Sequence, residues 1–285
     1  MIMRPAWSWQ FDEDHLQAPA TQELFDEITP EWAWGESIGE GVRVAVVDSG
    51  IDNDHPAVSG AVRGWAEPIE GPEGMSFSQA PHTDAYGHAT ACAGIIRGIA
   101  PGVELYSVKV LGAGLSGRGQ IFAAGLRWAI EHDMHVVNLS LGTTKRDFYG
   151  LFHELADDAY FRNIILVTAA NNMPIPSFHS LYASVISVAS QVDKDPYHFS
   201  YNPSPPVDFG APGVDVRVAW LSGGSLTGTG NSYAAPHISG LVCRILGKHP
   251  GLTPYQVKSI LRATAANTRR QRGLRTQDSG LRTQD

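Results

Sequence analysis

VAVVDSGID, residues 44–52, runs four small apolar residues without alternation into an Asp, then into a Ser-Gly turn. An unbroken apolar run this short reads as a strand buried on both faces, the kind found inside a parallel sheet. A carboxylate at the carboxyl end of such a strand stands where open α/β sheets collect their functional groups. Asp48 is therefore both the end of a strand and the first candidate for chemistry.

Working outward, the same kind of short apolar run returns at 103–110, 135–139, 164–169, 185–189 and 214–220, with the first strand placed at 42–47. Between and after these runs, 84–96, 119–132, 149–161, 231–247 and 253–265 carry a helical rhythm. Strands alternating with helices predict an α/β fold of three layers, a mostly parallel central sheet with helices on both faces.

The chain has 285 residues, 43% hydrophobic and 18% charged, enough for one large domain with a sizeable core. The longest apolar runs, such as 164–167, fall far short of a bilayer span, so no membrane-crossing segment is expected. The opening MIMRPAWSWQFDED has neither a sustained apolar stretch nor a small-residue cleavage pattern, so no secretory signal is expected. Two cysteines, Cys92 and Cys243, make no disulfide framework, and a reducing, cytoplasmic setting is expected.

The net charge of −8 is unevenly spread. Residues 1–40 hold nine acids against one Arg, and residues 269–285 hold five Arg against two Asp. Without overall basicity a nucleic-acid partner has no electrostatic support. The expected organisation is an N-terminal extension at 1–35, a main domain at 36–267 and a flexible tail at 268–285. The extension carries four of the seven tryptophans, Trp7, Trp9, Trp32 and Trp34, and is expected to dock at least partly on the domain or cover its cleft. The tail repeats GLRTQD at 273–278 and 280–285, too little for a repeat architecture.

Two further segments match the first in character: DAYGHATACAG at 84–94 and GTGNSYAAPHISG at 228–240. His88 follows Gly87 at a helix start, and Ser232 follows Gly230 at another. Taken singly, Asp48 reads as a turn cap, His88 as a core histidine and Ser232 as an ordinary N-cap. Together they form the set a hydrolytic triad needs. A serine is a weak nucleophile until a base takes its proton, and that base needs a carboxylate to fix its tautomer.

These segments, in the order Asp, His, Ser, closely resemble the subtilisin-like (subtilase) serine peptidases, over about residues 35–265. The resemblance implies a catalytic triad of Asp48, His88 and Ser232 in a serine endopeptidase that works through an acyl-enzyme. In IILVTAANN at 164–172 it implies Asn172 as the oxyanion amide, with Asn171 in place of the family's Gly. It implies that Ser140, Leu141 and Gly142 line the first specificity pocket. The Gly-rich stretch containing Gly112, Ala113, Gly114 and Leu115 would be an edge that pairs with an extended peptide or protein substrate.

Several departures are legible. His-Ala-Thr-Ala replaces the family's His-Gly-Thr-His, and Tyr233 replaces the usual Met after the nucleophile. Cys92, four residues after His88, would sit near the imidazole as in the thiol-containing, proteinase K-like branch, or be an inert buried thiol. The expectation is no metal and no cofactor. The strongest calcium site of relatives is lacking, because Ala57 follows His55-Pro56 and residues 94–101 are too short for its loop. The stretch 173–183 is shortened, leaving the base of the first pocket unread, with His179 and His198 taken as isolated surface histidines. Two other functions are weighed against the endopeptidase: a maturation protease or transpeptidase (macrocyclase) acting on a precursor peptide, and a non-catalytic peptide-binding module on the same scaffold.

Overall fold

The structure, a computed structural model, describes residues 28–268. Among them nine strands form one sheet: β1 (Arg43–Asp48), β2 (Val62–Gly71), β3 (Gly74–Ser78), β4 (Glu104–Lys109), β5 (Val136–Leu139), β6 (Ile165–Ala169), β7 (Ile186–Gln191), β8 (Ser200–Tyr201) and β9 (Phe209–Pro212). Their order is β3-β2-β4-β1-β5-β6-β7-β9-β8. The seven inner strands run parallel, and β3 and β8 close the edges antiparallel. A separate hairpin joins β10 (Val216–Trp220) to β11 (Gly224–Gly228). The helices are α1 (Pro30–Ala33), α2 (His88–Ile99), α3 (Gly119–Glu131), α4 (Tyr149–Phe161), α5 (Asn231–Lys248) and α6 (Pro254–Thr264).

Successive strand residues point to opposite faces, so each buried strand feeds two cores. In β1, Val44 and Val46 join the core that contains α2, α5 and α6, whereas Ala45 and Val47 join the core that contains α3 and α4. The same alternation splits Val136 from Val137 and Ile165 from Leu166. This double burial is why the runs read as continuous rather than alternating. It is also the three-layer α/β architecture expected from the sequence.

Three elements differ from that expectation. The β2–β3 hairpin was not foreseen: Pro68 and the glycines at 64, 71 and 74 break any apolar run, and its outer half is exposed. The run at 214–220 lies in the separate hairpin, not in the main sheet. Helix α2 begins at His88 rather than 84, because 84–87 serve as its cap.

Residues 28–35 pack on the domain through Ile28, Ala33 and Trp34. Thr29 caps α1 by accepting the Trp32 N–H at 3.2 Å, with Pro30 in the first turn. Ile28 and Trp34 are buried in the α2/α5/α6 core, and Trp32 stacks on His249 with ring centroids 4.3 Å apart. Trp7, Trp9 and the repeated GLRTQD lie outside the described residues.

Candidate active site

The alternation that sends Val44 and Val46 toward α2 sends Asp48 there too. Asp48 is fully buried, and its carboxylate accepts the Ser49 N–H at 2.7 Å. The same carboxylate meets His88 Nδ1 at 2.8 and 3.0 Å. An Nδ1–H held by a carboxylate leaves Nε2 as the free base. Gly87 positions the ring: its φ is +108°, and a Cβ there would meet Trp220 at 2.9 Å, so only glycine fits.

Behind this pair stands Asp84, which the sequence did not single out. Its Oδ1 accepts the Ser49 hydroxyl at 2.8 Å and the N–H groups of Tyr86 and Gly87 at 2.9 and 2.7 Å. Its Oδ2 accepts the Thr90 N–H and hydroxyl at 2.9 and 2.6 Å. A buried carboxylate so fully paired acts as the cap of α2 and fixes the start of the helix that carries His88. Burial pulls the His88 imidazolium toward a lower pKa, but the charge and hydrogen bond of Asp48, with Asp84 behind, outweigh it. The result is a pKa above that of an ordinary histidine.

Ser232 opens α5, and the helix is built around a defect. Pro236 lies inside it and has no N–H to offer the carbonyl four residues earlier, that of Ser232. That carbonyl instead accepts the Ser140 hydroxyl at 2.9 Å and faces the Cys92 thiol at 3.6 Å. Ser140 is held in turn by Asn138 Nδ2 at 3.0 Å, and Asn138 Oδ1 accepts the Ser239 hydroxyl at 2.9 Å. The β5 end and the nucleophile helix are thus latched by side chains.

The β6 end is latched as well. The Asn231 N–H donates to Asn172 Oδ1 at 2.8 Å, which leaves Nδ2 as the unused donor of that amide. The amide and the Ser232 hydroxyl lie around Gly230: a Cβ there would be 3.3 Å from Ser232 Oγ and 3.5 Å from Asn172 Nδ2. Asn231 completes the joint by donating to the carbonyls of Ala170 and Asn171 at 3.2 and 3.0 Å and accepting the Ser190 N–H at 2.8 Å. Asn171, in place of the family's Gly, is not left-handed, and its Oδ1 accepts the Met173 N–H at 2.9 Å.

Two cavities flank the nucleophile. One of about 160 Å³ is lined by Ser140–Gly142, Ala169–Asn172, Ser177 and Ser232. Its neighbour, of about 370 Å³, is lined by His88, Leu111, Leu115, Phe122, Arg118, Lys145 and the 140–143 wall. The wall at 140–142 is common to both cavities, one of which His88 also lines and the other Ser232. Leu115 lines the larger cavity together with Ser116 and Gly117, but Gly112, Ala113 and Gly114 do not. The carbonyl of Gly112 accepts the Leu115 N–H at 3.0 Å and its N–H donates to Ser116, folding 112–114 into an outer turn.

His179 is not on the surface. It is fully buried among Phe122, Phe152 and Tyr182 with no hydrogen-bond partner, and burial pushes its pKa down to about 3. His198 is partly exposed and pairs with Asp193. Tyr233 lies with its ring centroid 5.7 Å from that of His88. Cys92 is fully buried, and its burial beside Asp48 holds the thiol protonated, well above the ordinary cysteine range.

Among the described residues, one group of three or more His, Cys, Asp or Glu side chains is close enough to share an ion: Asp48, His88 and Cys92, with ligand atoms within 4.8 Å. That buried N, S and O set does not fit calcium, which takes six to eight oxygens. Nor does α2, which runs unbroken from His88 to Ile99.

The profile described as "Subtilase family" matches residues 39–280. The chain is 33% identical over 241 residues to alkaline elastase YaB of Bacillus sp. (strain YaB), a match covering 80% of the chain and 60% of the relative. It is 32% identical to subtilisin Savinase of Lederbergia lenta, covering 80% and 85%. Against the minor extracellular protease Epr of Bacillus subtilis (strain 168), it is 29% identical and covers 37% of the relative's length. A crystal structure of a cold adapted subtilisin-like serine proteinase superposes with a TM-score of 0.69 at 26% identity, covering 82% of this chain and 87% of the other.

Proposed function

This chain belongs to the subtilase family, and we propose that it is a serine endopeptidase acting on extended peptide or protein substrates. The observation that carries the reading is the buried Asp48–His88 pair at 2.8 Å, with His88 on one of two cavities that share the 140–142 wall and Ser232 and Asn172 on the other. In this reading His88 Nε2 takes the Ser232 hydroxyl proton as Oγ attacks the scissile carbonyl, and Asp48 stabilises the imidazolium that forms. The Asn172 amide and the Ser232 N–H donate to the oxyanion, an interaction made fully only in the transition state. His88 then protonates the leaving amine, and water attacking the acyl-enzyme completes hydrolysis. No metal, cofactor or nucleic acid enters any step. Two free, buried cysteines support a reducing, cytoplasmic location.

The test is hydrolysis of an unfolded protein substrate by the full chain and by Ser232→Ala. Cleavage at several sites that disappears in the variant supports the endopeptidase. Equal activity in both, or none in a folded wild type, contradicts it.

A further inference from the structure

The break in α5 at Pro236 leaves the Ser232 carbonyl to be satisfied from outside the helix, and the Ser140 hydroxyl does so at 2.9 Å. The Cys92 thiol, at 3.6 Å from the same carbonyl, is a weak donor. A serine hydroxyl has one proton to give. If the Ser140 proton turns elsewhere, the first turn of the nucleophile helix loses its strong tie at this carbonyl.

The direction of that proton is decided further back. Asn138, on β5, is fully buried, and its side-chain amide lies between two hydroxyls. Its Nδ2 donates to Ser140 Oγ at 3.0 Å, and its Oδ1 accepts the Ser239 hydroxyl at 2.9 Å. The amide turned over would present Oδ1 to Ser140 instead. That oxygen would then compete with the Ser232 carbonyl for the Ser140 proton. The two orientations fill the same space and differ in where the protons point. Ser239 distinguishes them, because its hydroxyl donates and so requires the amide oxygen. A serine inside a helix often returns its proton to a carbonyl one turn back. Ser239, fully buried in α5, directs its proton to Asn138 instead, 101 positions away in sequence.

Resting on the serine endopeptidase reading of Ser232, we propose that Ser239 is a positioning residue for the nucleophile. Its proton orients the Asn138 amide, the amide keeps the Ser140 proton on the Ser232 carbonyl, and the backbone that carries the Ser232 hydroxyl and N–H is held in place. Ser239 itself lies two turns along α5 and lines neither cavity of the site. With the amide free to turn, one buried neutral hydrogen bond at the nucleophile is weakened, which corresponds to about tenfold in rate.

The test uses the full chain and reads the rate and final extent of fluorophosphonate labelling, with kcat and KM on a peptide substrate. Ser239→Ala should label to the wild-type extent but about tenfold more slowly, with kcat lowered alike and KM unchanged. Thr and Val share their branching and differ in the hydroxyl, so Ser239→Thr should label faster than Ser239→Val whatever the added methyl costs in packing. Ser140→Ala should slow labelling at least as much, and adding Ser239→Ala to it should cause no further loss, since the relay then lacks its last member. Wild-type rates in the Ala variant, equal rates for Thr and Val, or a tenfold loss that persists on the Ser140→Ala background overturns the proposal. A smaller labelled fraction at the wild-type rate also overturns it, by assigning Ser239 to stability alone. Absence of labelling on folded wild type is a different result and sinks the peptidase reading itself.

Discussion

Residues 84–92 and residues 171–180 both border the nucleophile, yet they are built by opposite means. The first is over-determined: Asp84 receives five hydrogen bonds, Asp48 holds His88, and Gly87 admits no other residue. The second is a loop tied down at few points, by the Thr143–Phe178 bridge and the Asn231 side chain, with one hydroxyl pair left partly open. The lesson is a division of labour. The groups around the Asp48–His88 pair are fixed by a saturated buried network, whereas the 171–180 loop retains unused hydrogen-bonding capacity.

Substitutions can break this contrast, and their expected effects are graded. His88→Ala removes the base, and kcat should fall by the size known for the family's triad histidine, about 10⁶-fold, with binding of a substrate-like peptide retained, checked by steady-state kinetics and a binding assay. Asn172→Ala should lower kcat with little change in KM, by the size the family's oxyanion amides are known for, about 10²–10³-fold. Loss in KM instead would place the Asn172 amide on ground-state substrate.

Asp84→Asn probes the network from behind. Only neutral His88 can accept the serine proton, and its raised pKa means activity is lost as pH falls through a value above that of an ordinary histidine. Removing the Asp84 charge lowers that pKa, so the acid limb of kcat/KM should move to lower pH. The cap is also weakened, and stability should drop by about 1–3 kcal/mol in a denaturant titration. An unmoved limb would show Asp84 to be a cap alone. The smallest effect belongs to Cys92→Ala, which should leave kcat within about twofold, since a thiol held protonated takes no part in proton transfer. A mercurial confirmed on Cys92 should nevertheless inhibit, because Sγ lies within 4.8 Å of the Asp48 and His88 ligand atoms.

The same contrast explains what could be read from sequence alone. Asp48, His88 and Ser232 each sit where a regular element meets a glycine turn, and β1, α2 and α5 have strong periodic signals. Asn172 was singled out through the family resemblance of the 164–172 segment, whose last residues follow the β6 run. Asp84 was missed because a capping carboxylate looks like any turn Asp until its donors are assembled from 49, 86, 87 and 90. Pro236 was visible, but its consequence was not: the freed Ser232 carbonyl needs Ser140, 92 residues away in sequence, to be satisfied. The 171–180 loop has no periodicity, so neither the place of Ser177 in the lining of the smaller cavity nor the buried His179 was legible. The β2–β3 hairpin escaped because a half-exposed edge carries no continuous apolar run, and the glycines at 112–114 could be read as a substrate edge or as the turn they form.

The most direct measurement is the intact mass of the full chain after treatment with a fluorophosphonate, run beside Ser232→Ala. A single adduct on wild type, mapped to Ser232, and none on the variant is the predicted result. Labelling of the variant, or no adduct on a folded wild type, would contradict an Asp48–His88 pair that activates Ser232.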